Sequence, residues 1–424
     1  YLNPKKRPYI NTGSKYCNFM KFLSAMAGSL TFSITISVIL VLSMFFYTVL
    51  TERIKSSTFL SQKFQLTPGL VSNKLFFNME FPKGHIAVKS FNGEVVDEDG
   101  NSVPLYETYL HHWGVLKYYL RKGTNISMEN AVSSLNNKDL IHHGNSGACQ
   151  PYVLSQHWGI GSETRKTDIY IPDPYGIETG NPSLIPAGYE EIWMLNVHAI
   201  DTRGVADKIG CLECRCDLYN VTTQSDGKPL PPGYIGGLKC CTDQNHCRLR
   251  NGFRGPARDL YLRYTVKWAD WDSSVLPVQV IVLDVTDTGK RSPDLTVGCQ
   301  IEYNVPTCNR RDGDCTMNYK RTIVMRRGGY LVYAVGHQHV GGRGVTLSGQ
   351  DGRVLCSSIP IYGTGKEAGN ENGYVVGMTT CYPKVGAAKI LEKEGLVLES
   401  KYNNERHHGG VMGLFYILVA DKTP

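Results

Sequence analysis

The chain has 424 residues, of which 42% are hydrophobic, so it is long enough for two or three folded domains and too apolar to be intrinsically disordered. Its net charge of +7 is concentrated at the N terminus, where residues 1–53 carry six basic residues against one acidic residue. The remaining 371 residues therefore carry only +2, with both signs interspersed. That distribution excludes the basic surface typical of nucleic-acid-binding proteins, and no nucleic-acid partner is expected.

The first predicted element is an apolar segment over residues 22–50 that contains no charged residue and follows Lys21. A positive charge before a long apolar run indicates an export signal, and a run of this length also suffices for a membrane anchor. We therefore expect residues 1–53 to comprise upstream residues plus either a signal peptide, cleaved near residues 50–56, or a signal anchor. The rest of the chain would lie in the secretory pathway, as an extracellular or apoplastic protein or as the lumenal part of an anchored one. Contact with a membrane is expected only through this segment.

Beyond residue 54 the pattern is one of short strands and turns. Alternating or continuous apolar runs predict strands at residues 86–91, 191–197, 260–268, 278–285, 330–335, 373–378 and 414–419. Clusters of Gly, Pro, Asn and Asp separate these runs, and no long amphipathic helix is evident. We predict an all-β fold with two β-sandwich domains, at residues 54–289 and 290–424, joined by a polar linker near residues 287–294.

The thirteen cysteines support export, because twelve of them follow the apolar segment. An even number of cysteines in an exported chain predicts disulfides. Six lie in a Cys-, Gly- and Pro-rich insert at residues 205–250 of the first domain. The spacing Cys211-Leu-Glu-Cys214 also occurs in zinc sites, but the exported setting favours a disulfide-stapled loop. Asn125-Ile-Ser and Asn220-Val-Thr are predicted N-glycosylation sites on surface loops.

Histidines form the candidate site. The first ligand set comprises His111, His112 and His198, and the second comprises His337, His339 and Met412. Residues two apart on a strand face the same side, so His337 and His339 can reach one metal, whereas His111 and His112 would face opposite sides of a regular strand. Imidazoles with a thioether suit copper better than zinc or magnesium. Other histidines compete for the same role: His142, His143, His157, His407 and His408.

The order of the two ligand sets resembles that of the copper type II, ascorbate-dependent monooxygenases, the family of peptidylglycine α-hydroxylating monooxygenase and dopamine β-monooxygenase. There a His-His pair and a later Val-His strand form one copper site, and a His-x-His strand and a later methionine form the second. The resemblance implies two jelly-roll-like β-sandwiches facing each other across a cleft, with one copper on each. The first set would accept electrons from ascorbate, and the second would bind O2 and substrate. Tyr416 matches a tyrosine that assists substrate recognition and is the expected catalytic residue.

A nearer resemblance, to the plant stress up-regulated nodulin-like (SURNod) family, covers almost the whole chain beyond the apolar segment. Its motifs include Glu107-Thr-Tyr-Leu-His-His-Trp, Ala199-Ile-Asp-Thr-Arg-Gly and Gly410-Val-Met-Gly-Leu-Phe-Tyr-Ile-Leu-Val-Ala. Together the resemblances imply a secreted dicopper, ascorbate-dependent monooxygenase-like protein that hydroxylates an unknown small-molecule or peptide substrate with O2.

Peptide amidation is not expected, because the arginine that precedes the His-x-His in peptide-hydroxylating members is absent from Tyr333-Ala-Val-Gly336. Without that arginine the chain lacks the bidentate partner that would bind a substrate carboxylate. The alternative function is a non-catalytic, secreted copper-binding or structural stress-response glycoprotein on the same scaffold.

Overall fold

The computed structural model describes residues 54–124, 138–142, 157–288, 300–309 and 313–424. Most regular structure in these ranges is β-strand. The strands before residue 289 are β1 (Lys55–Leu60), β2 (Phe64–Leu66), β3 (Val71–Phe76), β4 (Ile86–Asp97), β5 (Thr108–Arg121), β6 (Leu140–His142), β7 (His157–Trp158), β8 (Tyr175–Thr179), β9 (Tyr189–Asp201), β10 (Arg258–Asp270) and β11 (Leu276–Asp284). Those after it are β12 (Glu302–Val305), β13 (Thr316–Val324), β14 (Gly329–His337), β15 (Gly342–Gly349), β16 (Val354–Ser358), β17 (Pro360–Tyr362), β18 (Val375–Met378), β19 (Thr380–Cys381), β20 (Lys389–Ile390), β21 (Gly395–Asn403), β22 (His408–Met412) and β23 (Leu414–Ala420).

Helical structure in the described ranges is confined to three short turns. They are α1 (Lys208–Leu212), α2 (Cys216–Tyr219) and a 3-10 turn (Ser162–Arg165). The side chain of Asp207 caps α1 by accepting a hydrogen bond from the backbone N–H of Gly210. The prediction that this chain lacks long amphipathic helices is confirmed for the described part.

The strands form where apolar residues alternate with polar ones. In β10, Leu260, Leu262, Tyr264 and Val266 are buried, while the residues between them are partly or fully exposed. Successive side chains of a strand point to opposite faces, so this pattern buries one face and leaves the other toward solvent. The residues of strand β11 are instead buried almost without interruption, because both faces of this strand are covered.

A ten-stranded sheet runs through the described part of the molecule. Its strand order is β1-β10-β4-β8-β11-β23-β14-β19, with β2 paired to β10 and β20 paired to β14. Strands β8 and β11 pair in parallel, and β11 pairs antiparallel with β23 from Val278 opposite Ala420 to Asp284 opposite Leu414. The sheet thus includes strands from both sides of residue 289, and the division into two domains there stays a prediction.

Two further sheets pack on the ten-stranded sheet and make sandwiches. The five-stranded sheet β3-β9-β5-β6, with β7 on β5, shares a core with β4 and β10, in which the rings of Phe91 and Trp113 stack 5.1 Å apart. The four-stranded sheet β13-β21-β15-β16 shares a second core with β11, β14 and β23, which includes the fully buried Phe415. Each buried aromatic ring stabilises the fold by about 2–3 kcal/mol through burial of its apolar surface. The prediction of an all-β sandwich architecture is confirmed.

Disulfides staple both halves of the sequence. Three bridges close the Cys-rich insert (Cys211–Cys247, Cys214–Cys241 and Cys216–Cys240), and two lie later in the chain (Cys308–Cys315 and Cys356–Cys381). The prediction that disulfides close the insert is therefore confirmed, in preference to the zinc site that the cysteine spacing also allowed. Cys149 and Cys299, the other two predicted disulfide cysteines, lie outside the described residues.

The predicted export segment at residues 22–50 also lies outside the described residues. Among the helices of the described ranges, none has the length and apolar character needed to cross a membrane. The five bridges indicate an oxidising environment, which is compatible with a secretory or extracellular location.

Candidate metal centre

The first ligand set lies on the two central strands of the five-stranded sheet. Along the β5–β9 pair, Leu110 lies opposite Ala199 and His112 lies opposite His198, so the register shifts at His111. Such a bulge inserts one extra residue and re-aims its side chain. This is why adjacent His111 and His112, which a regular strand would point apart, both contact His198.

The geometry of the first ligand set is compact. The ring of His198 lies 4.7 Å from that of His111 and 4.8 Å from that of His112, measured between centroids. One ring nitrogen from each of the three histidines can be chosen so that all lie within 4.8 Å of one another. Three imidazole nitrogens at this spacing can bind a single metal ion after small side-chain adjustments.

The two histidines of the second ligand set adjoin the first set. The ring of His339 lies 4.8 Å from that of His111 and 5.3 Å from that of His337. His337 is the last residue of β14, and His339 follows just beyond the strand end. The five rings therefore form one histidine cluster (His111, His112, His198, His337 and His339), whereas the resemblance implied two sites on opposite walls of a cleft.

Most of the histidine cluster is buried, and three of its five rings lack well-formed hydrogen bonds to the described residues. His111, His198 and His339 are 1%, 0% and 4% exposed, and within the described ranges neither ring nitrogen of these residues has a hydrogen-bond partner of good geometry, although the backbone of Cys241 borders His198. Burial lowers the pKa of each well below its usual value, and the neighbouring imidazoles lower it further. The three rings are consequently neutral at physiological pH, which is the state that binds a metal.

Asn196 determines which nitrogen of His112 carries the proton. The Nδ2 group of Asn196 donates to Asn73 Oδ1 at 2.9 Å and to the backbone oxygen of Lys74 at 3.0 Å. Its Oδ1 atom therefore accepts, at 2.8 Å, from Nε2–H of His112. That bond assigns the lone pair of His112 to Nδ1 and orients the ring, as partners of metal-binding histidines commonly do.

Glu163 plays the corresponding part for His337. Its Oε1 atom accepts a hydrogen bond from Nδ1 of His337, and its Oε2 atom accepts one from the backbone N–H of Gly161 at 3.1 Å. A Cβ at Gly161 would lie 2.5 Å from the backbone oxygen of His111 and 3.2 Å from Cε1 of His337, so only glycine lets the 3-10 turn pack between them. In a neutral His337 ring this hydrogen bond places the lone pair on Nε2.

Met412 is connected to the histidine cluster through Tyr402. The backbone N–H of His339 donates to the Tyr402 hydroxyl at 2.8 Å, and that hydroxyl donates to the backbone oxygen of Met412, also at 2.8 Å. Met412 is buried on β22, opposite Glu302 of β12. That its sulfur binds a metal stays a prediction.

Tyr416 shares a sheet face with His337. It lies opposite Val335, two residues before His337 on β14, and the alternation of strand side chains puts all three on one face. Burial raises the pKa of the Tyr416 hydroxyl, and the negative charge of Glu163 raises it further. The phenol is therefore protonated at physiological pH and can donate a hydrogen bond. Its catalytic role stays a prediction.

The structure describes only some of the histidines that compete for the ligand role. His408 is buried on β22, and its Nδ1 atom pairs at 2.8 Å with Glu213, which also accepts from Arg406 at 2.7 Å. His407 is partly exposed beside it. His142 and His157 lie on strands β6 and β7, with side chains outside the description, and His143 lies outside the described residues.

Of the two predicted glycosylation sites, one lies among the described residues and the other does not. Asn220 is exposed at the end of α2, with a left-handed backbone (φ 54°), where a glycan would meet solvent. Asn125 lies outside the described residues.

Two large clefts among the described residues lie away from the histidine cluster. One, of about 910 Å³, is polar and runs between Asn92, Arg165 and Arg263. The other, of about 1070 Å³, is lined by aromatic residues and prolines, including Phe81 and Trp193, whose rings stack 4.4 Å apart. Neither cleft has a member of the cluster in its wall.

Several hydrogen-bond partners of the candidate histidines carry no sequence signal. Glu163 lies in Gly161-Ser-Glu-Thr-Arg, a segment without motif spacing to any histidine, and Glu213 is one of two residues between two cysteines. The only sequence signal for Asn196 is its position two residues before His198, which puts both side chains on the same strand face.

Comparison with solved structures gives only distant likenesses. The STIV MCP structure is 9% identical, with a TM-score of 0.24, and the match covers 87% of this chain and 96% of that one. The VP2 subviral particle of infectious bursal disease virus is 12% identical, with a TM-score of 0.17, covering 87% of this chain and 72% of that one. Likenesses this weak carry no argument about function. No curated protein matches the chain.

The family is nevertheless identified by a match that spans almost all of the chain beyond the apolar segment. The family model described as "Stress up-regulated Nod 19" matches residues 52–422, a stretch that includes the whole histidine cluster, the Cys-rich insert and Met412. The chain belongs to the SURNod19, stress up-regulated Nod 19, family.

Proposed function

We propose that this protein is an exported copper protein whose histidine cluster holds copper in one composite centre and uses it for ascorbate-dependent redox chemistry with O2. The observation that carries the proposal is the set of six buried ring nitrogens on His111, His198 and His339 that have no hydrogen-bond partner of good geometry among the described residues. Leaving one buried polar group unsatisfied costs about 1–3 kcal/mol. A bound cation with borderline-soft character would satisfy one nitrogen on each ring.

The donor types fit copper. Neutral imidazoles bind both Cu(I) and Cu(II), and the thioether of Met412 would favour Cu(I). The first ligand set supplies three nitrogens within 4.8 Å of one another, enough for one ion. His337 and His339 would hold a second ion next to the first, since the rings of His111 and His339 are only 4.8 Å apart. Copper, when bound, would supply one-electron transfer and O2 chemistry.

The surrounding residues would hold the ligands ready for the metal. Asn196 keeps the proton of His112 on Nε2, and Glu163 keeps that of His337 on Nδ1. In each neutral ring the lone pair is therefore assigned to one nitrogen before a metal binds, which reduces the cost of binding. His112 is the partly exposed member of the first ligand set and would be the point nearest to an external reductant.

Within this proposal, the more specific function is hydroxylation of an organic substrate. It is supported by the resemblance to the ascorbate-dependent monooxygenases and by Tyr416, whose protonated hydroxyl shares a sheet face with His337. The burial of His111, His198 and His339 favours the second candidate, a non-catalytic copper-binding protein. A substrate must reach the metal for hydroxylation, whereas copper binding alone needs no such access.

The test begins with metal loading of the full chain produced in an exporting host. We expect two bound coppers and a magnetically coupled electron paramagnetic resonance spectrum, because the two ligand sets adjoin. His111→Ala should abolish the coupled signal, while His85→Ala, at a partly exposed histidine paired with Glu178, should leave it unchanged. A protein that stays copper-free refutes the proposal, and two uncoupled signals refute the composite centre.

A second measurement separates the enzyme from the copper-binding alternative. The copper-loaded protein is supplied with ascorbate, and O2 uptake is followed with and without candidate substrates. Ascorbate-dependent uptake that vanishes in His111→Ala supports redox turnover. Reduction of the copper by ascorbate without sustained O2 uptake favours the non-catalytic alternative.

A further inference from the structure

The middle disulfide of the Cys-rich insert lies directly against the histidine cluster. A ring nitrogen of His111 and the sulfurs of Cys214 and Cys241 all lie within 4.8 Å of one another. All three residues are buried, with exposures of 1%, 0% and 0%. The insert thus contributes two sulfur atoms to the wall of the candidate metal centre.

The backbone of the insert brings the two cysteines to this position. Cys214 follows α1 in a left-handed conformation (φ 51°), which is uncommon for a residue other than glycine, and its backbone oxygen accepts from Gly237. The backbone of Cys241 borders His198, where it partly offsets the lowering of the pKa of that ring. The sulfur pair therefore lies beside His111, and the backbone of Cys241 lies beside His198.

The chemistry of the pair depends on its oxidation state. A disulfide is a poor metal ligand, because the thiolate is the form of cysteine that binds metals. Reduction by a thiol reductant breaks the S–S bond and adds two electrons and two protons, while the reductant becomes a disulfide. The two resulting thiols, with His111, form a sulfur-rich donor set that suits Cu(I).

We propose that Cys214, Cys241 and His111 form a redox-controlled Cu(I) site that exists only when the Cys214–Cys241 bridge is reduced. Binding of Cu(I) releases the two thiol protons. Because His111 belongs to both donor sets, copper in the thiolate site competes with copper in the all-histidine arrangement. The inference shares His111 with the proposed function, but a thiolate site would bind Cu(I) even if the oxidised protein takes up no copper.

The insert can lose this bridge and remain closed. Cys211–Cys247 spans the longest loop of the three bridges, with a sequence separation of 36, and encloses the other two. Cys216–Cys240 lies inside the middle bridge, with a separation of 24. The loop-closure contribution of Cys211–Cys247 therefore remains when Cys214–Cys241 opens.

The test uses the full chain, oxidised or treated with a phosphine reductant without air, and Cu(I) presented by a competing chelator. We expect reduction to raise Cu(I) affinity about 10-fold or more, as added soft ligands should. The rise should persist in the matched control Cys216→Ser/Cys240→Ser and be absent from Cys214→Ser/Cys241→Ser. X-ray absorption should show copper–sulfur scattering from a cysteine pair in the reduced protein and none from cysteine in the oxidised protein.

A second measurement needs no variant and remains valid if a cysteine variant misfolds. Alkylation of the reduced wild-type protein, read by mass spectrometry, should be slowed by Cu(I) at Cys214 and Cys241 and unchanged at Cys216 and Cys240. Equal labelling of Cys214 and Cys241 with and without Cu(I) overturns the inference. The copper content of the oxidised protein tests the proposed function separately.

Discussion

Asn196 is the residue whose replacement tests most sharply how the histidine cluster is prepared for a metal. Its side chain makes three hydrogen bonds: it accepts from His112 at 2.8 Å and donates to Asn73 at 2.9 Å and to the Lys74 backbone at 3.0 Å. Asn196→Leu removes all three while keeping a side chain of similar size. His112 then loses the partner that keeps its proton on Nε2.

The expected magnitude follows from these contacts. Loss of a partner that orients a metal-binding histidine typically lowers metal affinity about 10- to 100-fold. That range corresponds to about 1.4 to 2.8 kcal/mol of binding free energy. The free energy of unfolding should also fall by about 1–3 kcal/mol, because the acceptors on Asn73 and Lys74 lose their donor at a partly buried position.

A second substitution separates the two effects. Asn196→Asp keeps an acceptor for Nε2–H of His112, so copper affinity should remain close to that of the wild type. Its second oxygen faces the acceptors of Asn73 and Lys74, so the free energy of unfolding should fall as in Asn196→Leu. The control for the replacement of a partly buried amide as such is Asn245→Leu. The Asn245 side chain donates to the backbone oxygen of Cys240 at 3.0 Å.

The assays are copper competition titrations for affinity and urea denaturation of the metal-free protein for stability. Equal copper affinities in Asn196→Leu and the wild type would refute the assignment of the His112 tautomer. Equal losses of affinity in the Leu and Asp variants would show that stability, and not the proton on His112, governs binding.

Three further predictions concern other residues. Glu163→Gln should weaken copper binding about 10-fold in a competition titration, because an amide holds Nδ1–H of His337 less strongly than a carboxylate. Glu178→Gln, at the His85–Glu178 pair, should leave copper affinity unchanged in the same titration. Glu302 has its pKa raised by burial from 4.5 to about 8, so the folded state retains a proton that the unfolded state releases, and stability should decline as pH rises from about 4.5 to 8. Glu302→Gln should flatten that decline, by on the order of a few kcal/mol at pH 8, in urea denaturation at several pH values; an unchanged slope contradicts the assignment. Asn220→Gln should remove one glycan from protein made in a glycosylating host, and an unmodified Asn220 peptide in the wild type would contradict this prediction.

Local patterns in the sequence were sufficient for the architecture. The alternation in β10 and the buried run in β11 predicted strands because side-chain direction in a strand has a period of two. The disulfide interpretation of the insert needed only the exported setting and the number of cysteines. The six predicted ligands likewise came from residue type and order, although binding by any of them stays a prediction.

The arrangement of the site depended on contacts between distant segments. A regular strand would separate His111 from His112, and only the register of β5 against β9 introduces the bulge that brings both to His198. The close approach of His339 to His111 joins the two ligand sets, across 228 positions of sequence, and the resemblance implied the opposite. Glu163 reaches His337 across 174 positions, which no local pattern can indicate.

The sequence by itself thus determined which elements form and which donor atoms are present, since both depend on residue type and short-range periodicity. Only the tertiary structure decided that five imidazoles form one cluster, that Asn196 and Glu163 orient two of them, and that the Cys214–Cys241 bridge lies against His111. The physical reason is that convergence is a property of strand register and sheet packing. A shift of one residue in the β5–β9 pairing would turn the same side chains to the other face.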